Sequence, residues 1–431
     1  MTIVRERIGR DVFAEQVADP RKPRGAGQEH DGQRLLSWLF TISWLMGNLV
    51  SFKPFRSGLL ILPVLAVVCF LVSRFDRRAS DVRVPAILAG FIFWCVLSYG
   101  WSLSPKDGSH QMPEYVAMLV TGLVCGLVLT PQGLLASLAR ASRILICIVG
   151  VSLVVDYHAA TAPPALDPVP GWHGPVGGKN GLGLLMAIAL AAFAFEDRRV
   201  RARRLWIVAA VVLLVGAQSG AGWCLSLLAV GMLLWRAALS RQVNAIGKVL
   251  LKVLAATCGI ASLTFLFVDL PAATGVIGKS PNFTGRTSIW TSVIDAIPEH
   301  LLTGTGYAGV WFSDGGATAK LTRAIGFRAY EAHQGYLDVT LQLGAVGALL
   351  FLTLLIATLC RLIPNFATRP RAEAGLLVLV LALVLENFAE SMWTGFGVLL
   401  FAAIATVVIG HGAGRSDHAG RLGLPEAVSR R

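Results

Sequence analysis

The sequence predicts an all-α, polytopic integral membrane protein with about 12 transmembrane helices and one large extracytoplasmic loop between spans nine and ten. Three observations carry this prediction. The chain is 55% hydrophobic and 15% charged, with a mean hydropathy of +0.65, which is too apolar for an ordinary soluble domain. Twelve apolar windows approach the ~20 residues that take a helix across a bilayer: 35–51, 57–73, 84–101, 114–130, 143–158, 180–195, 205–217, 221–236, 249–270, 336–360, 375–391 and 394–410. Basic residues then fall on alternate sides. With the N-terminus inside, 29 of the 38 Lys and Arg residues lie in inner segments, so both termini are expected in the cytoplasm. The same asymmetry accounts for the net charge of +13 and removes any need for a nucleic-acid partner. Continuous apolar runs, in place of alternation, argue against a lipid-facing barrel.

In chain order, residues 1–34 form a polar, basic cytoplasmic tail with Arg21, Lys22 and Arg24, a composition that stays disordered and can touch anionic lipid. Residues 35–270 hold spans one to nine. Windows seven and eight are short and nearly continuous, so they read as a tight hairpin or one broken helix. The Pro- and Gly-rich outer loop 159–179 ends in Gly177-Gly178-Lys179-Asn180 at the mouth of span six. Backbone N–H groups and Lys179 could meet an anion there, although a flexible, closely packing loop explains the glycines equally well. All seven cysteines fall in or at the ends of apolar windows without a CxxC pair, and read as small core residues.

The outer loop, 271–335, is the long polar stretch of the chain. Ile289, Trp290, Val293, Ile294 and Ile297 share one helical face, with Thr284 as N-cap and Pro298 as stop, which predicts an interfacial helix. Arg286 falls in its first turn. The helix dipole there favours an anion, so a cation in that place suits a ligand or a lipid headgroup. Gly304-Thr305-Gly306 reads as a turn, since the strand context of a nucleotide fingerprint is missing. Lys320, Arg323 and Arg328 add cations that suit a polyanion, against the simpler reading of solvated charges. His333 stands at the mouth of span ten, and Asp338 lies inside the span, where a carboxylate normally faces protein or water. Residues 336–410 complete spans ten to twelve, with a polar cluster at Glu386, Asn387 and Glu390, and 411–431 form a cytoplasmic tail.

The order of several short motifs resembles the O-antigen ligase and polymerase superfamily, which includes exopolysaccharide polymerases. Lys179-Asn180 with Gly183 comes first, then Gly285-Arg286 with Trp290, then Gly304 and Gly306. His333-Gln334 with Tyr336-Leu337-Asp338, Leu343-Gly344 with Gly347, and Asn387 with Glu390-Ser391 follow. Together these cover roughly residues 170–400. One departure stands out: the family carries Arg or Lys after Ser at the turn into span eight, and this chain has Ser219-Gly220.

The resemblance implies a glycosyltransferase at the periplasmic face of the bacterial inner membrane, acting on undecaprenyl-pyrophosphate-linked oligosaccharide. Polymerisation of exopolysaccharide repeats is favoured, on the Asn387…Glu390-Ser391 ending. Transfer to lipid A core by a ligase is the alternative, and a lipid-linked saccharide flippase the third. In the implied roles Arg286 grips pyrophosphate, His333 activates the acceptor hydroxyl and Asp338 supports the His333 region, while Lys179, Asn180, Arg323, Arg328, Gln334 and Tyr336 bind substrate. Lys179, Arg323 or Arg328 would replace the cation missing at Gly220. No D-x-D occurs, so no metal or other cofactor is expected. The implied partners are the lipid-linked donor, the growing polysaccharide or lipid A core acceptor, membrane lipids and a chain-length regulator.

Overall fold

A computed structural model describes residues 26–49, 65–67, 85–161, 171–176, 178–197, 202–239, 243–267, 286–312, 315–393 and 397–421. All regular secondary structure among them is helical. The helices are α1 (Ala26–Asn48), α2 (Ala86–Ser98), α3 (Pro105–Val128), α4 (Pro131–Val155), α5 (Tyr157–Thr161), α6 (Lys179–Phe195) and α7 (Arg203–Ala217). They continue as α8 (Gly220–Ala238), α9 (Ala245–Phe267), α10 (Arg286–Ala296), α11 (Gly316–Ile325), α12 (Gly335–Leu362), α13 (Arg371–Glu386) and α14 (Gly397–Arg421). Among the described residues, α3, α4, α8 and α12 are long and apolar enough to cross a membrane, and α2, α6 and α14 are shorter apolar helices. The expected span at 57–73 lies outside the described residues except for 65–67, as do Thr284 and Gly285.

Helix α6 is the centre of the bundle. It packs on α4, α7, α8 and α13. Thirteen of its seventeen residues are buried, which explains a sequence that is apolar on every side and rich in alanine. Windows seven and eight resolve into two helices, α7 and α8, broken at Gln218, whose φ is +51°, and both pack on α6. The turn after α3 sits at Leu129–Thr130, so Arg140 and Arg143 lie within α4. Arg143 ion-pairs with Glu196 at the far end of α6, and Arg371 donates to the Ala194 carbonyl nearby. Helix α9 leans on α8 and leaves Ile246, Val249, Leu250 and Ile260 exposed, a surface that fits lipid. Cys147 and Cys360, expected in the core, are exposed on α4 and α12. A small apolar side chain is as stable against acyl chains as against protein.

The predicted span ten contains a break that positions the segment before it, residues 301–305. Gly344 within α12 has φ +67° and ψ −172°. The backbone groups freed there are satisfied by the loop: Ala345 and Val346 donate to the Leu301 and Leu302 carbonyls, and Thr305 N donates to Leu341 O. Unpaired backbone is costly at membrane depth, so this insertion is what permits the break. A Cβ at Gly344 would lie 2.2 Å from Leu302 O, at a φ that L side chains rarely adopt. Gly344→Ala should therefore destabilise the protein by about 1–3 kcal/mol. Gly315→Ala, whose Cβ meets nothing within 4 Å, should leave the melting temperature in detergent unchanged. Equal melting temperatures for the two variants would contradict the packing described.

Candidate active site

The site is built where the loop before α12 meets the turn after α13. Gln334 caps α12, its side chain accepting from Leu337 N at 2.5 Å. The indole N–H of Trp290 on α10 donates to Ala332 O at 3.1 Å and ties that helix to the same loop. Between these anchors His333 adopts φ +48°, an uncommon backbone for a residue with a side chain. Across from it, Gly335 N donates to Asn387 O at 2.7 Å. A Cβ at Gly335 would fall 1.9 Å from Asn387 Oδ1, so only glycine lets the two segments touch. Of the apolar face of α10, Ile289 and Val293 are buried against a cluster that includes Trp311, Leu321 and Leu341, while Ile294 stays exposed.

That contact delivers Glu390 to the middle of the site. Its Oε1 accepts from Arg286 Nη2 at 2.5 Å and its Oε2 faces His333 Nδ1 at 2.7 Å. Arg286 also donates to Ala389 O at 2.7 Å, and Asn180 Nδ2 reaches Oε1 at 3.5 Å. A second carboxylate, Glu331, places Oε1 3.2 Å from the same His333 nitrogen. The surroundings set the charges. Burial alone would raise Glu390, but Arg286 and the His333 hydrogen bond outweigh it and hold the carboxyl down at about 2. Burial alone would lower His333, but the hydrogen bond and charge of Glu390, with Glu331 behind, bring it above its ordinary value. Burial first, and then the Glu390 charge, pushes Glu331 upward.

Glu331, His333 and Glu390 present three donor atoms within 4.8 Å of one another, a spacing that could hold a metal ion. Both Glu390 oxygens are already engaged, by Arg286 and by His333, so an ion would have to displace a charge-assisted hydrogen bond.

Glu331 also forms part of the wall of a cavity of about 510 Å³. Helices α1, α3 and α6 line it with apolar Trp44, Met118, Leu184 and Ile188, and α1 and α3 add Asn48, Gln111 and Glu114. Asp338 and Gln342 of α12 also line it.

The residues expected to act together are only partly brought together. Arg286, His333 and Asn180 converge on Glu390. Asp338 is fully buried, and its Oδ1 accepts from Trp311 Nε1 at 2.7 Å and Gln342 Nε2 at 2.9 Å. Gln342 in turn accepts from Ala308 N, so Asp338 fixes the loop 304–312. Lys179 is buried at the start of α6, where its stem and the Ala217 carbonyl both flank Gly171, beside the turn that carries Ser219-Gly220. Tyr336 donates to Val384 O, which locks α12 to α13. Arg328 donates to Trp311 O and lies over the Tyr330 ring, while Arg323 bonds back to its own helix at Ala319 O. Sequence reasoning noticed Glu390 without placing it in the site, and passed over Glu331. Their proximity to the His333–Asp338 motif was the available signal for both.

Residues 205–352 match the O-antigen ligase family, Wzy_C. The matched segment, that of the O-antigen ligase and polymerase superfamily, includes Arg286, Glu331, His333 and Asp338 and stops short of Glu390. No curated protein matches the chain. The matched third of the chain is thus similar to the O-antigen ligase family, and the apolar helices mark an integral membrane protein.

Because Glu390 raises His333, protonation of His333 stabilises the fold below the ordinary value of 6.5, and that contribution is lost as pH rises through the raised value. In Glu390→Gln, histidine resonances of labelled protein in nanodiscs should show His333 titrating lower than in the wild type. An unchanged titration would contradict the pairing.

Proposed function

We propose that the protein is a glycosyltransferase that acts on undecaprenyl-pyrophosphate-linked oligosaccharide at the periplasmic face of the inner membrane and polymerises exopolysaccharide repeats. The observation that carries the reading is the gathering of Arg286 and His333 on Glu390 next to the cavity. Glycosyl transfer from a lipid pyrophosphate breaks the bond between the anomeric carbon and a phosphate oxygen, which leaves with the electron pair. The acceptor oxygen bonds to that carbon and loses its proton. Among the described residues Arg286 uses two N–H groups, on Ala389 and Glu390, of the five a guanidinium carries, which leaves donors for phosphate oxygens. The carboxylate–histidine array around His333 supplies the acid–base function. Lys179, beside the Ser219 turn, is the cation we assign to the role that Gly220 cannot fill.

The apolar wall of the cavity suits a prenyl chain, and the basic cluster of Arg140, Arg143 and Arg371 at the other end of α4 and α6 supports cytoplasmic placement of that end. The polymerase reading rests on the Asn387…Glu390-Ser391 ending, which supplies the residue at the centre of the site. A ligase that transfers finished chains to lipid A core is the second reading, favoured by the description of the matching family.

Protein in nanodiscs, given lipid-linked repeat without lipid A, should lengthen chains; product only in the presence of lipid A core would favour the ligase. Arg286→Ala and His333→Asn should each lower transfer by ~10²–10⁴-fold at equal membrane levels. Asparagine is chosen because it tolerates the positive φ at 333. Near-normal product from both variants would refute the assignment.

A further inference from the structure

Two carboxylates face one nitrogen of His333, and they are held in different ways. Glu390 is pinned: one oxygen takes Arg286, the other the His333 hydrogen bond. Glu331 stands 3.2 Å from the same Nδ1, and among the described residues no Lys or Arg forms an ion pair with it. Its side chain is about a third exposed, at 32%, against 15% for Glu390. Glu331 lines the cavity with Asp338, Gln342 and Tyr330, whereas Arg286, His333 and Glu390 are not among its described walls. The group in the array that a substrate in the cavity meets is therefore Glu331.

We propose that Glu331 touches the acceptor hydroxyl and takes its proton, and that His333 is a positioning residue that orients Glu331 through Nδ1. This rests on the glycosyl-transfer reading above. Glu331 Oε1 faces His333, which leaves Oε2 for the acceptor. In the step, the acceptor O–H bond breaks and the proton passes to Glu331. The freed oxygen pair forms the new glycosidic bond as the anomeric carbon–phosphate bond breaks, and that electron pair leaves on the pyrophosphate beside Arg286. Glu331 then releases its proton to water. No further reactant is needed.

The environments of the two carboxylates agree with this division. For Glu390, Arg286 and His333 outweigh burial, and the group stays ionised as a fixed support. For Glu331, burial and the neighbouring Glu390 charge dominate, with Asp338 adding to them and His333 and Arg286 opposing. Adjacent carboxyls driven apart in this manner mark a proton-transfer group and its electrostatic partner.

The test uses full-length protein in nanodiscs with undecaprenyl-pyrophosphate-linked oligosaccharide extracted from the cells that make it. Glu331→Gln is nearly isosteric and should lower turnover by ~10²-fold or more, with KM for the donor within about threefold of the wild type. Glu331→Asp should keep part of the activity, and formate should restore part of it to Glu331→Ala. The wild-type rate should rise with pH as Glu331 ionises, and Glu331→Gln should lose that rise while its melting temperature stays the same. A Glu331→Gln rate within about threefold of an active wild type, with Arg286→Ala inactive, would overturn the proposal and leave the glycosyl-transfer reading standing. A wild type that forms no glycosidic bond would overturn both.

Discussion

The Glu390 carboxylate is the constraint on which the rest of the site depends. It accepts from Arg286 through one oxygen and from His333 through the other. The first comes from α10, the second from the loop before α12, and Glu390 itself follows α13, while Asn180 approaches from α6. Four parts of the chain thus share one partly buried charge. Removing one partner of such a group leaves the others facing an uncompensated charge, which is costly in a low-dielectric surrounding. The same pairing keeps Glu390 ionised and His333 favoured in its charged form, so geometry and protonation are set together.

The membrane scaffold makes this convergence possible by meeting backbone requirements locally. A helix broken at Gly344 would expose amides at a depth where water is scarce, and the carbonyls of Leu301 and Leu302 answer that need. The loop that inserts there continues through Gly304–Phe312, which Asp338 and Gln342 hold from α12. Asp338 is thereby tied to the loop that forms one wall of the cavity, and its hydrogen bonds run to Trp311 and Gln342. The buried carboxylate, the kink and the loop form one unit. Leu184, Leu185 and Ile188 of α6 line the same cavity.

Much of the helical architecture was legible in the sequence, because apolar runs and Gly or Pro punctuation report directly on local structure. The start of α12 just after His333 was visible. The break at Gly344 was not, since Leu-Gly-Ala-Val is as apolar as its surroundings and its hydrogen-bond partners lie about 40 residues away. Pairing across the site was equally hidden. Glu390 is more than 50 positions from His333, and the glycine that admits Asn387 carries no charge pattern to announce it. Residue type singled out Arg286 and His333, whereas the choice between Glu331 and Glu390 required knowing which one Arg286 holds.

The central claim is that Arg286 and Glu390 act as one unit in support of catalysis, and a double-mutant cycle tests it most directly. Arg286→Gln, Glu390→Gln and the double variant would be compared with the wild type for transfer of lipid-linked oligosaccharide in nanodiscs. The account predicts strong non-additivity, with a coupling of roughly 0.5–3 kcal/mol, because either change dismantles the same pair. Additive losses, agreeing within about 0.5 kcal/mol, would show that the two residues act independently and would contradict it.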